Sequence, residues 1–119
     1  KAGVGSATND ASREVGGALG IAIGGSVLNE IYQNNIVVPK GLDITNYSQD
    51  PTESFPAAMT IGQQMLAAGN SEGAMLIASA RESFIEGMVG ACVVAAIVAL
   101  LAAIIVKLKI PEDDIISDE

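Results

Sequence analysis

Two carboxylates and a guanidinium stand within five residues at the edge of a run that is otherwise apolar. Asp10 and Glu14 are one helical turn apart, Arg13 lies between them, and the glycine-rich stretch from Val15 to Gly25 follows at once. On a helix, side chains four residues apart share a face, with Cβ atoms roughly 6 Å from each other. Two carboxylates that close, in poorly hydrated surroundings, do not both ionise cheaply, so the pair holds one proton more tightly. Such a pair can take up and release a proton near neutral pH, or attract a cationic ligand. Arg13 can pair with Asp10 three residues away, or with another helix. The plainer alternative is a charged, water-exposed first turn. Ionisable groups inside a bilayer are costly and face a bundle interior or an aqueous path. Asp10, Glu14 and Arg13 are therefore the candidate substrate- and proton-binding residues.

The element that must position them is a first helix over residues 1–32. Its apolar core, Val15 to Leu28, has about 14 residues against the ~20 needed to span a bilayer. Extending the helix back to Gly3 or Val4 supplies the length and draws Asp10, Arg13 and Glu14 into the membrane. The alternative is a shallow or re-entrant helix that leaves those charges among the headgroups. Gly16, Gly20 and Gly24 form a continuous small face, flanked by Gly17 and Gly25. In an isolated helix each glycine costs roughly 1 kcal/mol relative to alanine. In a membrane such a face permits close packing on a neighbour, or bending at a gate.

The rest of the chain divides just as visibly. Residues 33–83 form a connection: a polar stretch with turn signals at Pro39-Lys40-Gly41 and Asp50-Pro51, then a short helix begun by Ser54 and Pro56 and stopped at Gly69-Asn70. Ser71 can cap a further helix, with Glu72 in its first turn. Met75, Leu76, Ala80, Phe84 and Met88 carry helical spacing into residues 84–107. Within that segment the run Gly87–Val106 holds no charge and is long enough for the ~30 Å hydrocarbon core. Small residues recur every fourth position at Ser79, Ser83, Gly87, Ala91, Ala95, Ala99 and Ala103, a packing stripe. Met59, Met65 and Met75 fit packing roles, and Glu86 suits the headgroup zone or the edge of a ligand path. Pro111 ends the second helix, and residues 108–119 make an acidic tail. The fold class expected is thus an all-α membrane protein with two transmembrane helices joined by a long extracellular loop carrying short helices.

Composition excludes several functions. A net charge of −8 with no basic stripe argues against nucleic acid. Histidine is absent and Cys92 stands alone, so no metal set and no cofactor is expected. There is no phosphate-binding loop and no nucleophilic triad, and the chain is not expected to be an enzyme. Lys1 and Arg13 belong to the first helix and Lys107 and Lys109 close the second, whereas six carboxylates lie from Asp43 to Glu86. The positive-inside rule then puts both ends in the cytoplasm and the connection outside. The chain begins with Lys rather than Met and is expected to be a piece of a longer protein.

The stretch Lys1–Ser26, with its Asp-Ala-Ser-Arg-Glu-Val-Gly-Gly-Ala-Leu-Gly core, resembles the penultimate helix of fourteen-helix drug–proton antiporters of the major facilitator superfamily, the quaternary-ammonium and multidrug efflux branch. Ala80-Arg81-Glu82-Ser83-Phe84, running into the long apolar helix, is similar to their final helix. The resemblance implies the last two helices of a major facilitator fold, with the remaining helices upstream as partners. It implies a cytoplasmic-membrane protein that exports small lipophilic cations in exchange for protons. It also implies that the first helix lines the cavity or gate, with Asp10 and Glu14 where membrane-embedded carboxylates of that group align. Gly16 to Gly25 would correspond to the antiporter glycine motif, without that motif's proline. The rival expectation is a stand-alone two-helix hairpin with a structural or assembly role.

Overall fold

The computed structural model describes residues 2–110; Lys1, Pro111 and the acidic stretch 112–119 named above lie outside the described residues. Three α-helices follow in order: α1 (Ala2–Asn35), α2 (Phe55–Ala67) and α3 (Glu72–Lys109), with a short 3-10 turn at Ile44–Asn46 between the first two. Among the described residues there is no strand. Neither long helix contains a proline, so nothing in either removes a backbone donor. At 1.5 Å per residue α1 is about 51 Å long and α3 about 57 Å. Both are long and apolar enough to cross a membrane, α3 the more strongly. Their offset gives a rod whose longest dimension is 76 Å.

Local chemistry explains where the helices begin and end. Ser54 accepts from the Ala57 amide at 3.3 Å and Pro56 occupies the first turn of α2, as the sequence suggests. At the other end Gly69 adopts a φ of +83°, its amide reaches Leu66 O and the Asn70 amide reaches Met65 O. That is the paired hydrogen bonding of a glycine-terminated helix. The start of α3 differs from expectation. Ser71 is already helical and makes no capping bond; Asn70 Oδ1 instead accepts from the Glu72 amide at 3.0 Å. The Gly69 reversal brings Asn70 to that position, one residue earlier than the hydroxyl suggests. α3 then continues unbroken from Glu72 through the apolar run, and Ile110 turns extended, as the residue before a proline favours.

The folded core lies outside the long apolar run. Tyr32, Ala58, Ile61, Met65, Leu76 and Ala80 are buried together, where the end of α1, α2 and the first turns of α3 meet. Phe55 stacks on Phe84 with ring centroids 4.6 Å apart. Of the three methionines assigned to packing, Met65 is buried, Met59 half-buried and Met75 exposed. α2 lies close against α3 because both helices present glycine where they cross. A Cβ at Gly73 would collide with the Gly62 carbonyl oxygen, and one at Gly62 would meet Ile77. By contrast Val93, Ile97, Leu100, Leu101 and Ile105 of α3 are more than half or nearly half exposed, an apolar surface that suits lipid or further helices.

Tyr32 ties the core to the connection. Its side chain is 1 % exposed, and its hydroxyl donates to Pro51 O at 3.0 Å and Ser54 O at 3.1 Å. Tyr32→Phe keeps the ring and leaves both carbonyls short of a donor, which costs about 1–3 kcal/mol. Faster amide exchange over residues 37–54, with α3 unchanged, is the expected result. Equal exchange in both proteins would show that the ring alone holds the connection.

Candidate functional site

One contact sets the register of α1 against α3. At Gly87 a Cβ would lie 2.7 Å from the backbone oxygen of Leu28, so the two helices approach at van der Waals limit and Leu28 stands level with Gly87. Ile31 Cδ1 occupies the space above Gly90 in the same way. Further along, Asn35 Nδ2 donates to Glu86, and the Val37 amide donates to Ser79 Oγ at 2.8 Å. The upper half of the small-residue stripe of α3 therefore does pack: Ser83 and Gly87 are buried and Ser79 is half-buried. Asn34, Asn35, Ser79, Glu82, Ser83 and Glu86 surround a polar recess of about 440 Å³ at this end.

Below the Leu28–Gly87 contact the helices part. Gly16, Gly20 and Gly24 have nothing within 4 Å of where a Cβ would sit, so in these two helices the glycine face packs on nothing. Gly20 and Gly24 instead line a crevice of about 240 Å³ whose opposite wall includes Ala91, Ala95, Ala99 and Ala102. The glycines that mediate close approach are Gly62, Gly73, Gly87 and Gly90. Only the regular spacing through Gly87 signalled any of them in the sequence. Gly62 and Gly73 belong to a helix crossing that no periodicity encodes.

The charged turn lies farther down α1. Glu14, Arg13 and Asp10 are about 21, 22 and 27 Å from the level of Leu28 along the helix. All three are exposed. Gly20, Gly24, Val27 and Ile31 mark the side of α1 turned to α3. At 100° per residue Arg13 continues that line, while Asp10 lies about 60° and Glu14 about 100° to one side. The two carboxylates thus share a face, as their spacing requires; five turns further along α1, Asp10 is in line with Leu28 and Glu14 with Tyr32. On α3 the next cations are Lys107 and Lys109, in its last turn.

The connection is ordered by two short motifs of one kind. Asp43 Oδ1 accepts from the Thr45 amide and hydroxyl at 3.1 and 2.5 Å, and Asp50 Oδ1 from those of Thr52 at 2.8 and 2.6 Å. The Thr45 hydroxyl and amide hold the Asp43 carboxyl below its ordinary value of 3.8, and those of Thr52 do the same for Asp50. A depressed folded pKa gives stability that is present above the unfolded value and is lost as pH falls through the folded one. Protection of the Thr45 and Thr52 amides, taken as exchange relative to the intrinsic rate at each pH, should accordingly persist at neutral pH and be lost only below pH 3.8. A loss of protection centred above that value would contradict the two turns.

The chain is 32 % identical over 109 residues to the multidrug efflux pump LfrA of Mycolicibacterium smegmatis, a match that covers 89 % of this chain and 20 % of the pump. The chain spans about a fifth of the length of this curated relative. No protein-family profile and no solved structure matches it. The chain is thus similar along most of its length to one segment of a multidrug efflux pump, and carries two helices long and apolar enough to cross a membrane.

Proposed function

We propose that this chain is the C-terminal part of a proton-coupled multidrug efflux transporter, and that α1 and α3 are the last two helices of a major facilitator fold in the cytoplasmic membrane. The observation that carries the reading is the 32 % identity to a multidrug efflux pump along nearly the whole chain. The register of the helices supports the depth this reading gives the charged turn. With the outer edge of the hydrocarbon at Gly87, where the uncharged run begins, Lys107 reaches the opposite edge about 30 Å away. Leu28 shares the level of Gly87, so Asp10 falls about 3 Å inside the inner edge, and Arg13 and Glu14 about 8–9 Å inside it. The carboxylates are exposed in these two helices, and the upstream helices would enclose them in a cavity.

In that setting Asp10 and Glu14 together form the site that holds the cation or the proton. A lipophilic cation approaching from the cytoplasm finds a negative site from which water is largely excluded. Uptake of a proton from outside neutralises the pair and removes the attraction, and the cation leaves outward. An inward proton brings about 2.3 kcal/mol per 100 mV of membrane potential. Both ends are cytoplasmic, the connection with α2 is extracellular, and no bond in the exported compound is made or broken. Cells producing the whole encoded protein and preloaded with ethidium should export it, and a protonophore should stop that export. Ethidium retention equal to that of cells without the protein, or export indifferent to the protonophore, would overturn the proposal.

A further inference from the structure

We propose that the polar recess between the end of α1 and the first turns of α3 binds a divalent cation of the calcium class, held by oxygen atoms of Glu82, Glu86, Ser83, Asn34 and Asn35. Such a site needs no export activity, and it stands or falls separately from the transporter reading.

The recess carries negative charge that the protein itself does not balance. Glu82 and Glu86 lie one helical turn apart on one face of α3, where like charges repel. Lys40 and Arg81, the cations at this end of the molecule, line no part of the recess. Asn35 Nδ2 donates to Glu86, which holds that carboxylate at the wall and leaves the amide oxygen as a further ligand. Val37 is the one apolar residue in the lining, so a lipophilic cation finds little there to bury against.

Ser83 is the independent sign of a ligand. It is 2 % exposed, yet it lines the recess. A helical hydroxyl ordinarily turns back to the carbonyl four residues earlier, as Thr60 does to Pro56 O at 2.9 Å and Thr8 to Val4 O at 2.8 Å. The Ser83 hydroxyl makes no such bond, while its neighbours in the recess bond to each other through Asn35 and Glu86. Among the described residues no fully sealed side-chain oxygen lacks a partner, so the Ser83 oxygen opens into the recess. A buried hydroxyl left without a protein partner is costly, and a bound ion or its water supplies one.

The donor set selects the ion. Carboxylate, amide and hydroxyl oxygens suit a hard cation, and one divalent ion matches two carboxylates. Among the described residues no third acidic, histidine or cysteine side chain joins them, so neutral oxygens and water must complete the shell. Calcium accepts six to eight such ligands in irregular geometry, whereas magnesium demands a near-ideal octahedron. A volume of about 440 Å³ leaves room for the ion and several waters of roughly 30 Å³ each.

The test is equilibrium dialysis of the whole encoded protein in detergent against radioactive calcium, at a fixed physiological potassium concentration. One calcium should bind per chain, half-saturating at about 0.1–1 mM, the range of extracellular calcium modules. Magnesium should compete only at higher concentration. Glu82→Gln and Glu86→Gln should each weaken binding at least about tenfold. Ser83→Ala, which continues the alanines of the same stripe, should weaken it about fivefold, the worth of one polar contact. Glu72→Gln, a carboxylate of α3 outside the recess, should change nothing. Absence of saturable binding, equal displacement by magnesium, or a constant unmoved by Glu82→Gln and Ser83→Ala would overturn the proposal. If Glu86→Gln fails to fold because Asn35 loses its partner, the other two variants still decide, since both leave that bond in place.

Discussion

Gly87→Ala is expected to loosen the junction of α1 and α3 and to destabilise the folded end of the molecule by about 1–3 kcal/mol, the usual cost of forcing a methyl group into filled space. The new Cβ would stand 2.7 Å from the Leu28 carbonyl oxygen and 3.4 Å from its carbonyl carbon. Both are backbone atoms, so no rotamer change relieves the overlap and the helices must move apart. The Asn35–Glu86 and Val37–Ser79 bonds lie just beyond and would be stretched in turn. Gly20→Ala provides the contrast. Nothing lies within 4 Å of its Cβ position, so the substitution should be neutral or gain up to about 1 kcal/mol through helix propensity. Thermal unfolding or protease resistance of the two variants in the same detergent checks the sign. Equal losses would mean that Gly20 is packed as tightly as Gly87, against the open crevice described above.

Asp10→Asn with Glu14→Gln is expected to abolish proton-driven export of ethidium while the protein still reaches the membrane in normal amount. Each single variant should retain part of the activity, because the remaining carboxylate still attracts a cation but no longer shares a proton with a neighbour. A coupled pair further predicts that the two single losses do not add to the double one. The geometry sharpens the expectation, since both side chains are exposed and lie about 20 Å or more along α1 from the Leu28–Gly87 contact, so neither amide disturbs the packed junction. Unchanged export in both single variants and in the double one would remove Asp10 and Glu14 from the mechanism.

Some of this architecture is written directly in residue order. Gly87–Val106 announces a long apolar helix because a span must be apolar for about 20 residues, while Val15–Leu28, with about 14, reaches that length only with the turns before it. Ser54 and Pro56 announce the start of α2 because both act on the backbone within one turn. The cap of α3 was less legible: Ser71 has the right side chain, but the Gly69 reversal places Asn70 where the cap belongs. The glycines divide in the same way. Gly16, Gly20 and Gly24 have the spacing of a contact face and line a crevice or open space, whereas Gly62 and Gly73 have no visible pattern and bring α2 and α3 together. A periodic small face says that close approach is possible, and only the path of the chain decides what approaches. The charged turn stood out by composition alone. That Arg13 follows the crevice while Asp10 and Glu14 flank it depends on the direction in which α3 returns.

The central claim is that α1 carries its charged turn into the bilayer. Nitroxides attached singly at positions 28, 14 and 10, in a Cys92→Ala background and a reconstituted vesicle, measure depth by their collisions with oxygen and with a water-soluble relaxant. The account predicts oxygen-dominated collisions at position 14, about 9 Å inside the hydrocarbon, with positions 10 and 28 within about 3 Å of its two edges. Free access of the water-soluble relaxant to positions 10 and 14 alike, at the level seen for an exposed residue of the connection such as Thr45, would contradict it.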